Sequence, residues 1–180
     1  STELSTVAVR PHLIWGPGDT NLVPTIVDRA RAGQLRLVGD GANLIDTVYI
    51  DNAVDAHLLA AERLGPDAVC GGRAYFITND DPRPIREIIN GFLNAAGLPP
   101  GEKTIPVGVA VAAGRVFEAL HRFFPSPNGP RMTPFLARNL SSAHWYDISA
   151  ARRDLGFEPR VSMAEGLRRL QAWFEESAAD

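Results

Sequence analysis

Apolar positions along the chain alternate between two periods. Ser5 to Val9, Leu35 to Val38, Asp46 to Ile50, Arg73 to Thr78 and Thr104 to Val107 are short runs rich in Val, Ile, Tyr and Phe, set off by Gly, Pro, Asn and Asp. Such runs predict strands, the first of them buried. Between them the spacing turns helical. Leu22, Val23, Ile26, Val27 and Ala30 predict a helix from Asn21 to Gly33, with Pro24 in its first turn and Gly33 ending it. Asp51 is read as the cap of a second helix, with Val54, Leu58, Ala61 and the neighbours Leu59 and Leu64 as its buried stripe. A third helix runs from Pro84 to Gly97 with Ile85, Ile88, Ile89, Phe92, Leu93 and Ala96 on one face. Strand and helix in alternation predict an α/β fold with a parallel sheet.

The last third of the chain is helical in pattern. Val111, Gly114, Phe117, Leu120 and Phe124 share one face of a helix over 108–124, with Arg115, Glu118 and Arg122 opposite. Three roles fit this face: packing on neighbouring elements, lining a greasy pocket, or peripheral contact with a membrane. Its uncharged run is far shorter than the ~20 apolar residues that span a bilayer. Pro125 to Pro130 reads as a loop. Thr133-Pro134 reads as cap and first position of a short helix to Leu140, Ser149 as the cap of a helix ended by Gly156, and Ser162 with Glu165 as a capping box for a final helix burying Leu167, Leu170, Trp173 and Phe174.

Composition narrows the function. At 180 residues and 45% hydrophobic the chain supplies one sizeable core. A net charge of −3 with scattered arginines offers nothing to nucleic acid. The single cysteine, Cys70, excludes an internal disulfide and suits a reducing, cytoplasmic setting. His57 lacks companions at metal-ligand spacing and is read as structural, and no metal site is expected.

Chemistry concentrates at Arg10 to Asp19, where two prolines and two glycines shape the loop that follows the first strand. Ligands of open α/β sheets bind just past such strand ends. Arg10-Pro11, Trp15-Gly16-Pro17-Gly18-Asp19, Asn21 to Pro24, Gly39-Asp40-Gly41 and Asp46-x-x-Tyr49-Ile50-Asp51-Asn52 together resemble the second half of extended short-chain dehydrogenases. Within that superfamily, which also holds the NAD-dependent epimerases, the resemblance is to the 3-beta-hydroxysteroid dehydrogenase branch. Asp147-Ile148-Ser149, Leu155-Gly156-Phe157 and Gly166 are similar to that family's ending.

The resemblance implies residues 1–180 as the C-terminal half of such an enzyme, the last strands of a Rossmann-like parallel sheet plus a smaller mixed substrate-binding region. An N-terminal glycine-rich dinucleotide-binding half is absent, and the start of the chain reads as a truncation boundary. The family's Tyr-x-x-x-Lys pair is also missing, since Lys103 is the only lysine and follows none of Tyr49, Tyr75 or Tyr146 at that spacing. No catalytic residue is therefore expected in this chain, which alone should be inactive. By resemblance Pro11, His12 and Ile14 contact NAD or NADP, while Leu13, Asn21, Leu22, Thr47 and Tyr49 contact substrate. His12 is read as positional, and Asn21 and Leu22 as offering free amides at a helix start.

Where the family's nucleotide-sugar enzymes place an arginine that grips diphosphate, this chain has Ile45, which favours an apolar substrate. The implied activity is oxidation of a hydrophobic secondary alcohol, or reduction of its ketone, of 3-beta-hydroxysteroid or 2-alkyl-3-oxoalkanoate type. Two alternatives stand beside it: a nucleotide-sugar epimerase or dehydratase, and, should 180 residues be the whole product, a non-catalytic binding module. The unfinished sheet implies dependence on the missing half or on homo-oligomerisation.

Overall fold

The computed structural model describes residues 4–124 and 133–177. Its strands are β1 (Ala8–Pro11), β2 (Ile14–Trp15), β3 (Leu37–Val38), β4 (Leu44–Ile45), β5 (Val48–Tyr49), β6 (Ala74–Ile77), β7 (Arg83–Pro84) and β8 (Thr104–Ile105). The helices are α1 (Leu22–Arg31), α2 (Ile50–Arg63), α3 (Ile85–Ala95), α4 (Val107–Phe123), α5 (Pro134–Leu140), α6 (Ser149–Leu155) and α7 (Met163–Ser177). β1 lies parallel to β6, with Ala8 opposite Ala74 and Pro11 opposite Ile77. β2 pairs in parallel with β5, and β3 with β8, while β4 runs antiparallel to β7. Parallel neighbours need long crossovers: the connection from β2 to β5 carries α1, and that from β1 to β6 carries α1 and α2.

Two cores flank this frame. One joins α1, α3 and α7 around Trp15, Val23, Tyr49, Phe92 and Leu170. The other presses α2 and α6 onto β1 and β6 through Val48, Ala56, Tyr75, Ile77 and Phe157. β5 uses both its faces, Tyr49 entering the first core and Val48 the second.

Several local expectations need correction. β1 is half exposed along its length rather than buried, because among the described residues it has one strand neighbour, β6. The strand expected over Asp46 to Ile50 is broken: β4 ends at Ile45, the Asp46 carboxylate accepts the Thr47 N–H at 2.9 Å, β5 resumes at Val48, and Ile50 already starts α2. The break lets the chain leave an antiparallel neighbour for a parallel one. In α2 the buried face is Ala53, Ala56 and Ala60, whereas Val54 is 48% and Leu58 57% exposed, and Ala61 is exposed too. Two apolar stripes lie side by side on that helix. The alanines, being small, face the sheet at close range.

The caps also shift. Asp51 sits inside the first turn of α2 and pairs with Arg169 at 2.9 Å rather than capping the helix. Ser149 is the first residue of α6 rather than its cap, and the Asp147 carboxylate two residues earlier accepts the Ser149 N–H at 2.8 Å. Ser162 Oγ accepts the Glu165 N–H at 3.2 Å, but the Glu165 carboxylate turns to Arg168 and Arg169, so only half of the capping box forms. Thr133 Oγ1 does accept the Leu136 N–H at 3.0 Å, with Pro134 leading α5. The loop expected over Pro125 to Pro130 lies outside the described residues.

α4 packs against α5 through Ala110 and Gly114. A Cβ on Gly114 would fall 2.6 Å from the Thr133 carbonyl carbon, so glycine sets how closely these helices approach. Val116, Phe117, Leu120 and Phe123 stay exposed on the outer side. Among the described residues no helix is long and apolar enough to cross a membrane.

Candidate functional site

The site begins where β1 ends. His12 N–H donates to the Ile77 carbonyl at 3.1 Å, and the Leu13 carbonyl accepts from Val48 N–H at 3.2 Å. Between these anchors Leu13 adopts φ +47°, a left-handed conformation that a leucine takes only when its surroundings impose it. The chain then lays successive side chains on opposite sides. Pro11 and Ile14 line an open groove of about 640 Å³, His12 lines a second cavity of about 320 Å³, and Leu13 lines both.

A buried amide network holds this geometry. Asn52 Nδ2 donates to Asn79 Oδ1 at 2.9 Å and to the Val161 carbonyl at 2.8 Å, while its Oδ1 accepts the N–H groups of Arg160 and Val161 at 3.0 Å each. Asn79 Oδ1 also accepts the Tyr49 N–H at 3.1 Å, and Asn79 N–H donates to the Thr47 carbonyl at 2.7 Å. Buried polar groups this well satisfied fix one arrangement of the strand ends. Trp15 Nε1 donates to Thr47 Oγ1 at 3.0 Å, tying the loop to β5.

At the start of α1, Asp19 changes the expected chemistry. Its Oδ1 accepts the Asn21 and Leu22 N–H groups at 2.7 and 3.2 Å, and its Oδ2 accepts that of Val23 at 2.8 Å. The amides expected to be free are filled by the chain's own carboxylate. Asn21 still lines the groove, and Leu22 stands between groove and cavity.

Thr47 lines the cavity and Tyr49 lines neither space. Tyr49 is 2% exposed, edge-on to Trp15 at 5.3 Å and pressed on Gly166, with Arg169 over its ring at 5.8 Å. The onset of α2 at Ile50 carries it into the core between α2 and α7, away from both spaces. Burial pushes its hydroxyl above the usual phenol range, with Asp51 adding to the rise.

The cavity walls are apolar: Leu22 and Ile26 from α1, Ile85, Ile88 and Phe92 from α3, and Leu136 from α5. Phe117 is not among its lining residues, because α5 stands where α4 was expected. Ile45, 3% exposed, occupies the wall at the position discussed above. The cavity's polar lining residues are Thr25, Arg29 and Arg36 together with His12, Thr47, Asn139 and His144, and the two histidine rings lie 6.4 Å apart. His144 reaches the site because its segment pairs with β4: its N–H donates to the Leu44 carbonyl at 2.8 Å, and its carbonyl accepts the Asp46 N–H at 2.8 Å. The sequence carries no local signal for this, since the partners lie about a hundred residues apart.

His12 Nδ1 lies 2.7 Å from the Asp46 carbonyl. Burial holds the ring below the usual histidine range, a shift partly offset by that hydrogen bond. Burial likewise raises the Asp46 carboxyl, whose Oδ2 has no partner within hydrogen-bonding distance. The Tyr146 ring meets His12 edge-on at 4.9 Å and stacks on Phe76 at 4.1 Å, bracing the histidine from the sheet side.

A strand-end loop beside parallel strand pairs, with a groove on one side and an apolar cavity on the other, is the arrangement in which open α/β folds seat ligands. The chain belongs to the 3-beta hydroxysteroid dehydrogenase/isomerase family, whose sequence profile matches residues 1–107. It is 53% identical over 169 residues to a 2-alkyl-3-oxoalkanoate reductase of Stenotrophomonas maltophilia, covering 94% of this chain and 51% of that protein. It is 34% identical over 179 residues to the decarboxylating sterol-4-alpha-carboxylate 3-dehydrogenase of Mus musculus, covering 97% and 49% respectively. The fold is similar to that of a UDP-glucuronic acid 4-epimerase from Bacillus cereus solved with NAD, with a TM-score of 0.59 and 19% identity over 95% of this chain and 45% of that one. The chain spans about half the length of the curated relatives it matches.

Proposed function

We propose that this chain is the substrate-selecting half of an NAD(P)-dependent oxidoreductase acting on a hydrophobic, branched secondary alcohol or its ketone. The observation that carries the reading is the convergence of groove and apolar cavity on one strained residue, Leu13. A flat nicotinamide fits the groove wall made by Pro11 and Ile14, whose apolar faces suit the ring. When bound, that cofactor supplies or accepts the hydride. The chain's own part is to hold the carbonyl carbon beside Leu13, seat the alkyl arms between α1, α3 and α5, and keep water from that end of the cavity.

A dinucleotide-binding half with the Tyr-x-x-x-Lys pair is the partner this reading requires, and we place NAD or NADP between the two halves. His12 faces the cavity rather than the groove, so its contact is with substrate more than with cofactor. Self-association remains part of the proposal because β1 has one strand neighbour among the described residues. The two relatives share a substrate pattern in their names, a carboxylate on the carbon next to the oxidised one, and we extend that pattern to this protein.

The test is cofactor-dependent oxidation of 2-alkyl-3-hydroxyalkanoates by the complete protein, compared with UDP-sugars. The expected outcome is turnover that improves with alkyl length and none with UDP-sugars. Turnover of UDP-sugars alone would overturn it.

A further inference from the structure

We propose that His12 and His144 form the receptor for the substrate's carboxylate, and that this receptor takes up a proton when the carboxylate binds. The inference rests on the substrate class proposed above and assigns the residues that recognise it. Both imidazoles line the apolar cavity, their ring centroids 6.4 Å apart and tilted by 46°. That separation leaves room for one anionic group accepting a hydrogen bond of about 2.8 Å from each ring.

Each ring has already used one nitrogen on the backbone. His12 Nδ1 is 2.7 Å from the Asp46 carbonyl, and His144 Nε2 is 2.9 Å from the Asn139 carbonyl and 3.0 Å from Ser142 Oγ. A carbonyl oxygen only accepts, so the facing nitrogen of each ring carries the hydrogen. In the neutral ring the remaining nitrogen, His12 Nε2 or His144 Nδ1, is then an acceptor and repels a carboxylate. Protonation turns it into a charged donor. A carboxylate therefore binds together with a proton, and its own charge holds that proton in place.

The surrounding charges agree with this direction. Burial and the neighbouring His144 weaken proton binding by His12, against the pull of Asp46. Asp46 is itself pushed towards its neutral form by burial and by Asp80. Tyr146 faces His12 from the 141–148 segment, and Arg29 and Arg36 line the cavity from the α1 side. The arginines compete for the role of carboxylate receptor, but distance separates the two assignments. Arg29 lies seven residues beyond Leu22 on α1, about 10 Å along the axis at about 1.5 Å per residue. The carboxylate is one carbon removed from the reacting centre beside Leu13. His12 directly precedes Leu13 in the chain and the His144 ring stands 6.4 Å from the His12 ring, whereas Arg36 Nη1 is taken up by the Gly33 and Leu35 carbonyls at 2.9 and 2.7 Å.

Two substitutions delete the free nitrogen and keep the anchor. In His12→Asn the amide nitrogen takes the place of Nδ1, and in His144→Gln that of Nε2. The experiment measures kcat/KM and KM of the complete protein with its cofactor for a 2-alkyl-3-hydroxyalkanoate and for its methyl ester, from pH 5 to 9, in wild type, both variants and Arg29→Gln. The wild type is expected to prefer the acid roughly tenfold or more, with KM for the acid rising towards high pH and KM for the ester flat. Both histidine variants should lose the preference and its pH dependence, while Arg29→Gln keeps them. Oxidation of both compounds with the preference intact in both histidine variants, or lost only in Arg29→Gln, would overturn the receptor and leave the functional reading standing. Oxidation of neither would overturn both.

Discussion

The Trp15 side of the molecule and the outer face of α2 use apolar residues to opposite effect. Around Trp15 the side chains of α1, α3 and α7 interlock, and the amide pair Asn52 and Asn79 satisfies the backbone of β5 and of the turn at Arg160 and Val161. On α2 the stripe of Val54, Leu58 and Ala61 has the same helical spacing and faces outward. Spacing says that a face exists. What lies opposite decides whether it is core.

This contrast can be broken most severely at the amide network. Asn52→Ala leaves the Arg160 and Val161 N–H groups without their acceptor and is expected to destabilise the chain by roughly 3 kcal/mol, read from its denaturant midpoint. An unchanged midpoint would mean that water replaces the side chain and that the network is not what fixes the strand ends. Gly166→Ala should follow at roughly 2 kcal/mol, because the new Cβ would fall 2.7 Å from both the Trp15 and Tyr49 rings. A neutral result would show that this core yields to added volume.

A smaller effect is expected from pH. His12 is held below its ordinary value of 6.5 by burial, so the unfolded chain binds its proton more readily. Its contribution is complete above 6.5 and is lost as pH falls through the window just below that value. Asp46 works in the opposite sense, since burial raises it above 3.8, and its contribution falls as pH rises through the window above that value. Unfolding curves across this range should show a rise in stability approaching 6.5 that is absent in His12→Asn. The smallest effect belongs to the outward stripe: Leu58→Ser in the isolated chain should shift stability by no more than about 0.5 kcal/mol. A larger loss would place Leu58 in a contact that the chain makes with itself or with another copy.

Much of the fold was legible because its signals are local. α3, β6 and α5 stand where periodicity, Pro134 and Thr133 placed them, and Gly97 and Gly156 end helices in the left-handed conformation. The failures are tertiary. The two stripes of α2 look alike until the sheet covers one of them. Tyr49 follows Thr47 at strand spacing, yet the start of α2 at Ile50 turns it into the core. Asp19 could be seen as loop chemistry, but its three contacts to amides of Asn21, Leu22 and Val23 need the turn in three dimensions. Pro11, His12, Leu13 and Ile14 were identified as a group through family resemblance, and the alternation that sends His12 to the cavity emerges only from the backbone. His144 and Asn139 were invisible, since long-range pairing with β4 alone carries their segment to the pocket.

Under the proposed function, substrate and nicotinamide meet at Leu13. The most direct measurement is a crystal structure of the complete protein with NAD+ and a 2-alkyl-3-hydroxyalkanoate. The nicotinamide is expected against Pro11 and Ile14, the alkyl arms between α1, α3 and α5, and the carbinol carbon between them at Leu13. A ligand bound elsewhere, with this cavity filled only by solvent, would contradict it.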